Sequence, residues 1–288
     1  MVTVPNAIVK TYLRMSGRQR KYEDVEKFER HLEECRKVNA VRYSIPEKWD
    51  FGKPMEERDY NGHPCFVINS GKGRAVLYLH GGSGIHQMLV YHYRFIRKMV
   101  GAEDVTVYLP AYPLAPNYNY RDCYAMLDPL YDDICKDHQI ITVMGDSMGG
   151  NIALALSEHV ERKPESTVLL SPFLDMTIED PRYEEYYKRE PRLSLNELRR
   201  CSELWSGGDD RHDPLISPLY GDLSGLNIAV FVGTEEVLLL DSERLRDRVG
   251  KEGVSLYYCE YEGMSHVFPL QPIKQANEVF PKIMEHVA

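Results

Sequence analysis

The chain reads as an α/β protein, with one mostly parallel central sheet covered by helices on both faces. Three observations predict this. From residue 75 onward, short β-branched runs alternate with helix-length segments, a rhythm that implies crossover helices between parallel strands. A glycine-flanked serine, Gly145-Asp146-Ser147-Met148-Gly149, stands between a strand signal and a helix signal. A second glycine cluster, His80-Gly81-Gly82-Ser83-Gly84, closes an earlier strand.

The elements follow in order. The first 39 residues are helical and charge-rich, with apolar positions at helical spacing from Tyr22 to Cys35. Strands are expected at Ala40 to Ile45 and Cys65 to Asn69. Next come strand Ala75 to Leu79, helix Met88 to Val100, strand Val105 to Leu109 and helix Tyr124 to Lys136. Strand Ile140 to Met144, helix Met148 to Arg162 and strand Thr167 to Leu170 continue the alternation. Residues 175–212, rich in Tyr, Arg, Glu and Pro, are too polar to extend the sheet. Strand Ile228 to Val232, helix Asp241 to Lys251, strand Ser255 to Glu260 and helix Pro272 to His286 complete the pattern. The expected organisation is a single domain over 1–288, with 1–39 and 175–212 forming a helical cap over the carboxyl edge of the sheet, where ligands bind in open α/β sheets.

Composition narrows the function. A chain of 288 residues is long enough to bury a large core. No apolar run approaches the ~18 residues that span a bilayer, and no signal peptide is read at the N-terminus, so a cytoplasmic location is expected. Six scattered cysteines without a C-x-x-C pair argue against a zinc ribbon or a redox dithiol and are read as reduced thiols. A formal charge of −9 disfavours nucleic acid and anionic membranes as partners. The basic run from Arg14 to Lys21 is read as a solvated helix face, and the oligomeric state stays open, a homodimer included.

The chemistry is suggested by three separated stretches. A serine hydroxyl is a poor nucleophile unless it is exposed beside a base and near donors for a developing oxyanion. Ser147, at a glycine-flanked strand-to-helix turn, has the character of such an elbow. The glycines after Leu79 leave N–H groups free, so Gly81 and Gly82, with Met148, are expected as oxyanion donors. His266 follows the last strand and is the candidate base. His31, His159 and His286 lie on helices and are read as surface residues, while His86, His92, His138 and His212 show no partner. The orienting acid is expected after the strand Ile228 to Val232, where Glu235, Glu236 and Asp241 all qualify. Asp241 also suits a helix N-cap.

With these pieces in place, the chain resembles the hormone-sensitive-lipase-like carboxylesterases of the α/β-hydrolase fold, over roughly residues 65 to 288. The family's H-G-G-G appears as His80-Gly81-Gly82-Ser83, its G-D-S-A-G-G as Gly145 to Gly150, and its Y-R-L-A-P-E as Tyr112 to Asn117. Ser171 to Asp175 and Ser217 to Tyr220 also look like family segments. The family's acid-bearing segment falls on Glu236 to Leu240, which implies Glu236 as the acid, with Asp241 as the alternative. Leu240 replaces a second acidic residue there, and Pro113 and Asn117 remove an ion pair from the third motif. The resemblance implies a serine carboxylesterase acting through an acyl-enzyme, with no metal and no cofactor. Short-chain acyl esters are the expected substrates, since no long apolar lid helix suggests binding at a lipid interface. An amidase or peptidase on the same fold, or a ligand-binding homologue without chemistry, are the alternatives.

Overall fold

The computed structural model describes residues 3–287, so the first two positions of the expected cap lie outside the described residues. Three helices open the chain: α1 (Asn6–Met15), α2 (Arg18–Glu23) and α3 (Val25–Asn39). Strands β1 (Met55–Tyr60), β2 (His63–Ile68) and β3 (Arg74–Leu79) follow, then α4 (Val90–Ala102), β4 (Thr106–Pro110), α5 (Tyr120–Asp137), β5 (Ile140–Asp146), α6 (Met148–His159) and β6 (Ser166–Leu170). An insertion carries α7 (Tyr183–Tyr187) and α8 (Leu195–Ser206). The chain then returns through β7 (Asn227–Glu235), α9 (Leu239–Glu252), β8 (Ser255–Ser265) and α10 (Lys274–Met284).

The eight strands form one sheet in the order β1-β2-β4-β3-β5-β6-β7-β8. Pairing is antiparallel at β1–β2 and β2–β4 and parallel from β4 to β8. This is the α/β-hydrolase architecture. Strand side chains alternate between faces, and the two apolar clusters show it directly. Ala75, Leu77 and Leu79 of β3 pack on one face with residues of α5, α6 and α9. Val76 and Tyr78 pack on the other with α4 and α10. Burial on both faces is why these strands read as continuous apolar runs.

One strand expectation needs correction. Residues 40–45 form no strand; Tyr43 and Ile45 pack against the core without joining the ladder, and Arg42 pairs with Glu57 and Asp59. The strand lies instead at β1, whose sequence MEERDY is polar and largely exposed. An edge strand needs no apolar alternation, and charges there discourage edge-to-edge association.

The helices outside the sheet have local causes and a cluster of their own. Asp24 caps α3 by accepting from the Lys27 N–H at 3.1 Å, and Ser194 caps α8 by accepting from the Glu197 N–H at 3.1 Å. Gly207 ends α8 in the left-handed conformation. Tyr22, Phe28, Leu32 and Cys35 of the N-terminal helices pack with Cys201 of α8 and with Ile85 of the loop after β3. Among the described residues, no helix is long and apolar enough to cross a membrane.

Candidate active site

Ser147 occupies the junction of β5 and α6 with φ 54° and ψ −118°, a conformation that costs a non-glycine residue roughly 1–3 kcal/mol. The surroundings hold it there. Its N–H donates to the Leu170 carbonyl at 2.9 Å, and its carbonyl accepts from Gly150, Asn151 and Phe173. Both flanking glycines are dictated by close approach. A Cβ at Gly145 would lie 2.1 Å from the Gly149 oxygen, and one at Gly149 would lie 2.0 Å from the Leu79 oxygen. Any larger residue would push the helix away from the sheet.

Three side chains from distant stretches meet at this edge. The Ser147 Oγ lies 3.0 Å from His266 Nε2, and His266 Nδ1 lies 2.6 Å from Glu236 Oε2. A carboxylate only accepts, so Nδ1 carries the proton and Nε2 presents its lone pair to the serine. The other Glu236 oxygen accepts from the Ser171 hydroxyl at 2.7 Å and the Gly233 N–H at 2.8 Å. Ser171 Oγ in turn accepts from the Val267 N–H at 3.0 Å, tying the acid to the histidine loop. Glu236 is fully buried and His266 nearly so.

The other two carboxylates point elsewhere. Glu235 pairs with Lys10 at 2.6 Å and with Arg14 at 3.6 Å. Asp241 lies inside α9 and does not cap it. Its carboxylate accepts from the N–H groups of Leu174 (2.7 Å) and Asp175 (3.1 Å) and from the Tyr183 hydroxyl. Burial, reinforced by nearby Asp175, pushes its carboxyl up to about 7. The alternative acid is therefore held in a separate buried network away from His266.

One expected oxyanion donor also moves. The Gly81 N–H donates to Asp146 Oδ1 at 3.0 Å and so faces the interior. The N–H groups of Gly82, Ser83 and Met148 have no acceptor among the described residues. Gly82 and Ser83 line the cleft with Ser147 and His266, whereas Gly81 does not. The free N–H pair on this loop is thus Gly82 and Ser83, one residue further along than the expected Gly81 and Gly82. Gly82 is required here by its φ of 129°.

Asp146 organises this loop from below. Besides Gly81 it accepts from the Tyr78 hydroxyl at 2.7 Å and from His92 Nε2 at 3.3 Å. Burial opposes its charge, but His92 and these hydrogen bonds outweigh burial and hold the carboxyl below its ordinary range. His92 Nδ1 accepts from the Leu89 N–H, so the same ring also caps α4. His80 stacks on Tyr112 with centroids 4.5 Å apart, and burial next to His92 lowers its pKa to about 3, keeping it neutral.

The cleft beside Ser147 measures about 220 Å³. Its walls come partly from outside the sheet: Arg18 and Tyr22 of α2, and Arg192 and Leu193 of the insertion. Arg18 makes a two-pronged pair with the buried Glu197 at 2.7 and 3.0 Å and donates to the Arg192 carbonyl at 2.8 Å. Glu197 also accepts from the Ser83 hydroxyl at 2.8 Å, so one carboxylate joins α2, α8 and the glycine loop. A further buried acid, Glu190, accepts from the N–H groups of Arg192, Leu193 and Val237, linking the insertion to the loop that carries Glu236. Burial raises its pKa. The hydroxyls of Tyr183, Tyr186 and Tyr187 in the insertion donate to Asp241, Glu243 and Glu23.

Sequence reasoning brought Ser147, His266 and Glu236 together but missed Ser171, His92, Asp146, Glu190 and Glu197. Asp146 had a signal in its place within the glycine motif. Glu197 had a misleading one, because Ser194-x-x-Glu197 has capping-box spacing while its carboxylate is taken by Arg18 and Ser83.

Comparison with known proteins gives the family. A family described as alpha/beta hydrolase fold matches residues 76–270. An esterase from Acinetobacter venetianus is 30% identical over 74% of this chain and 72% of its own length. An acetyl-hydrolase from Streptomyces hygroscopicus is 31% identical over 68% of each chain. A hormone-sensitive lipase from a metagenome library superposes with a TM-score of 0.78 at 27% identity, covering 100% of both chains. The chain belongs to the α/β-hydrolase fold family, and its likeness to the hormone-sensitive-lipase-like esterases extends from motifs to coordinates.

Proposed function

We propose that this carboxylic ester hydrolase works as a serine esterase through Ser147, His266 and Glu236, and that it acts on short-chain acyl esters. The observation that carries the reading is the continuous contact from Glu236 through His266 to Ser147, at 2.6 and 3.0 Å. His266 takes the serine proton as Oγ attacks the ester carbonyl. The N–H groups of Gly82, Ser83 and Met148 receive the oxyanion. His266 then protonates the leaving alcohol, and in the second half it activates the water that releases the acid. Glu236, held on its far side by Ser171 and Gly233, keeps the imidazole in the required tautomer and stabilises the imidazolium.

Residues 1–39 and 175–212 act as the cap that shapes the acyl and alcohol pockets. A cleft of about 220 Å³ is smaller than the about 300–1,000 Å³ typical of drug-sized ligand sites, which supports a compact substrate. Reduced, unbridged cysteines support a cytoplasmic setting. The test is a kcat/KM series over p-nitrophenyl esters of increasing acyl length, with matched anilides. Acetyl to butyryl esters should lead, with anilides far slower. A maximum at long acyl chains would overturn the substrate assignment, and a preference for anilides would make the enzyme an amidase.

A further inference from the structure

In the wall of the cleft, four polar atoms converge where α3 meets the loop after β3. His31 and Cys35 lie one turn apart on α3 and share a face, as residues i and i+4 do. His86 comes from the glycine loop to meet them. His31 Nε2 lies 2.8 Å from His86 Nε2, 3.5 Å from Cys35 Sγ and 2.9 Å from the Tyr22 hydroxyl. The ligand atoms of His31, Cys35 and His86 all fall within 4.8 Å of one another. His31, expected to be a surface residue, is half-buried.

The hydrogen bonding on the far sides of the rings makes this arrangement informative. His86 Nδ1 lies 3.1 Å from the Gly82 carbonyl, which only accepts, so that nitrogen carries the proton. His31 Nδ1 faces a Glu34 carboxylate oxygen at 3.4 Å, another acceptor, which favours the same tautomer. Both Nε2 atoms then present lone pairs to each other. The Tyr22 hydroxyl has one proton and can satisfy one of them. A cation between the rings satisfies both nitrogens at once.

We propose that His31, Cys35 and His86 form a zinc(II) site, with the fourth coordination position beside the Tyr22 hydroxyl. Two imidazoles and a thiolate are a zinc donor set, and backbone carbonyls or carboxylates on the distal ring nitrogens are the usual orienting partners. Tetrahedral zinc, with bonds of about 2.0–2.1 Å to nitrogen and about 2.3 Å to sulfur, sets nitrogen and sulfur about 3.6 Å apart and two nitrogens about 3.3 Å apart. The Cys35–His31 separation of 3.5 Å already meets the first requirement. The 2.8 Å between the rings meets the second after opening by about half an ångström. Binding breaks the Cys35 S–H bond, its electron pair going to the metal and its proton to solvent. Because His86 also holds the Gly82 carbonyl, the metal would brace α3 against the loop that lines the cleft.

The test uses the full chain, stripped of metal by chelation under reducing conditions and titrated with Co²⁺ and then Zn²⁺. One Co²⁺ per chain should bind, with visible bands of tetrahedral cobalt and a near-ultraviolet thiolate-to-cobalt charge-transfer band, both removed by Zn²⁺. Cys35→Ser should abolish the thiolate band, while Cys259→Ser keeps it. His31→Gln and His86→Gln should each weaken Zn²⁺ binding at least about tenfold, with circular dichroism unchanged. Zn²⁺ should raise the Tm of the parent chain and leave that of His31→Gln in place. Absence of saturable one-to-one binding, a thiolate band surviving in Cys35→Ser, or unchanged Zn²⁺ affinity in His31→Gln would overturn the proposal. These readouts need no ester substrate, so they stand apart from the esterase reading.

Discussion

The carboxyl edge of the sheet and the helices that cover it are built on different physics. At the edge, Ser147, Ser171, Glu236 and His266 directly follow the parallel strands β5, β6, β7 and β8 and are joined by one set of hydrogen bonds. The covering helices combine apolar packing with ion pairs that run between them and to the sheet: Arg18 to Glu197, Arg200 to Glu29 and Lys10 to Glu235. A rigid apolar scaffold fixes reacting atoms within tenths of an ångström. The ion pair of Arg18 with Glu197 borders the cleft without touching Ser147, His266 or Glu236. Changes at the edge should therefore alter kcat, and changes in the cover should alter stability and KM.

The largest expected effect is at the nucleophile. Ser147→Ala should lower kcat/KM for a short acyl ester by about 10⁴-fold or more, with an unchanged thermal midpoint. The acid comes next, and two carboxylates of the same neighbourhood make the contrast sharp. Glu236→Gln should cost about 10²–10⁴ in kcat, since it removes the acceptor that fixes the His266 tautomer. Asp241→Asn should change kcat less than about tenfold, because its contacts lead to Leu174, Asp175 and Tyr183. A reversed ranking in steady-state kinetics would move the acid out of Glu236.

In the cover, Arg18→Met removes the partner of a fully buried carboxylate and should cost about 3 kcal/mol in denaturant unfolding. It should raise KM more than it lowers kcat; the opposite split would draw α2 into the chemistry.

A separate effect lies in the scaffold itself. The carboxylate oxygens of Glu158 in α6 are shielded from solvent and neither is hydrogen-bonded, and burial raises its pKa to about 9. The folded state therefore holds a proton that the unfolded chain releases near its ordinary value. Its stabilising contribution is full below about 4.5 and is lost as pH rises through about 9. Unfolding free energies measured from pH 5 to 9 should fall more steeply for the parent chain than for Glu158→Gln. Parallel slopes would show that Glu158 does not titrate in that window.

The difference between the two regions also explains what the sequence revealed. Ser147 and its glycines were legible because an elbow is local: the strand, the turn and the helix are contiguous, and the glycines answer to atoms a few residues away. His266 and Glu236 were legible because parallel alternation puts loop after loop at one edge. The oxyanion loop was read one residue early, since the direction of the Gly81 N–H depends on Asp146, 65 residues on. The cover was the least legible. Glu197 presented capping-box spacing while its carboxylate answers to Arg18, 179 residues away, and His31 looked exposed while it meets His86. At the other end of the sheet, β1 escaped notice because a charged edge strand has no apolar period.

The central claim is that Ser147 is the nucleophile activated by His266. Its most direct test is labelling with a fluorophosphonate, followed by mass spectrometry of the peptides. The parent chain should carry one adduct on Ser147, and His266→Ala should react at least about 10²-fold more slowly while keeping its fold. An adduct on another residue, or equal labelling of the His266→Ala variant, would contradict the claim.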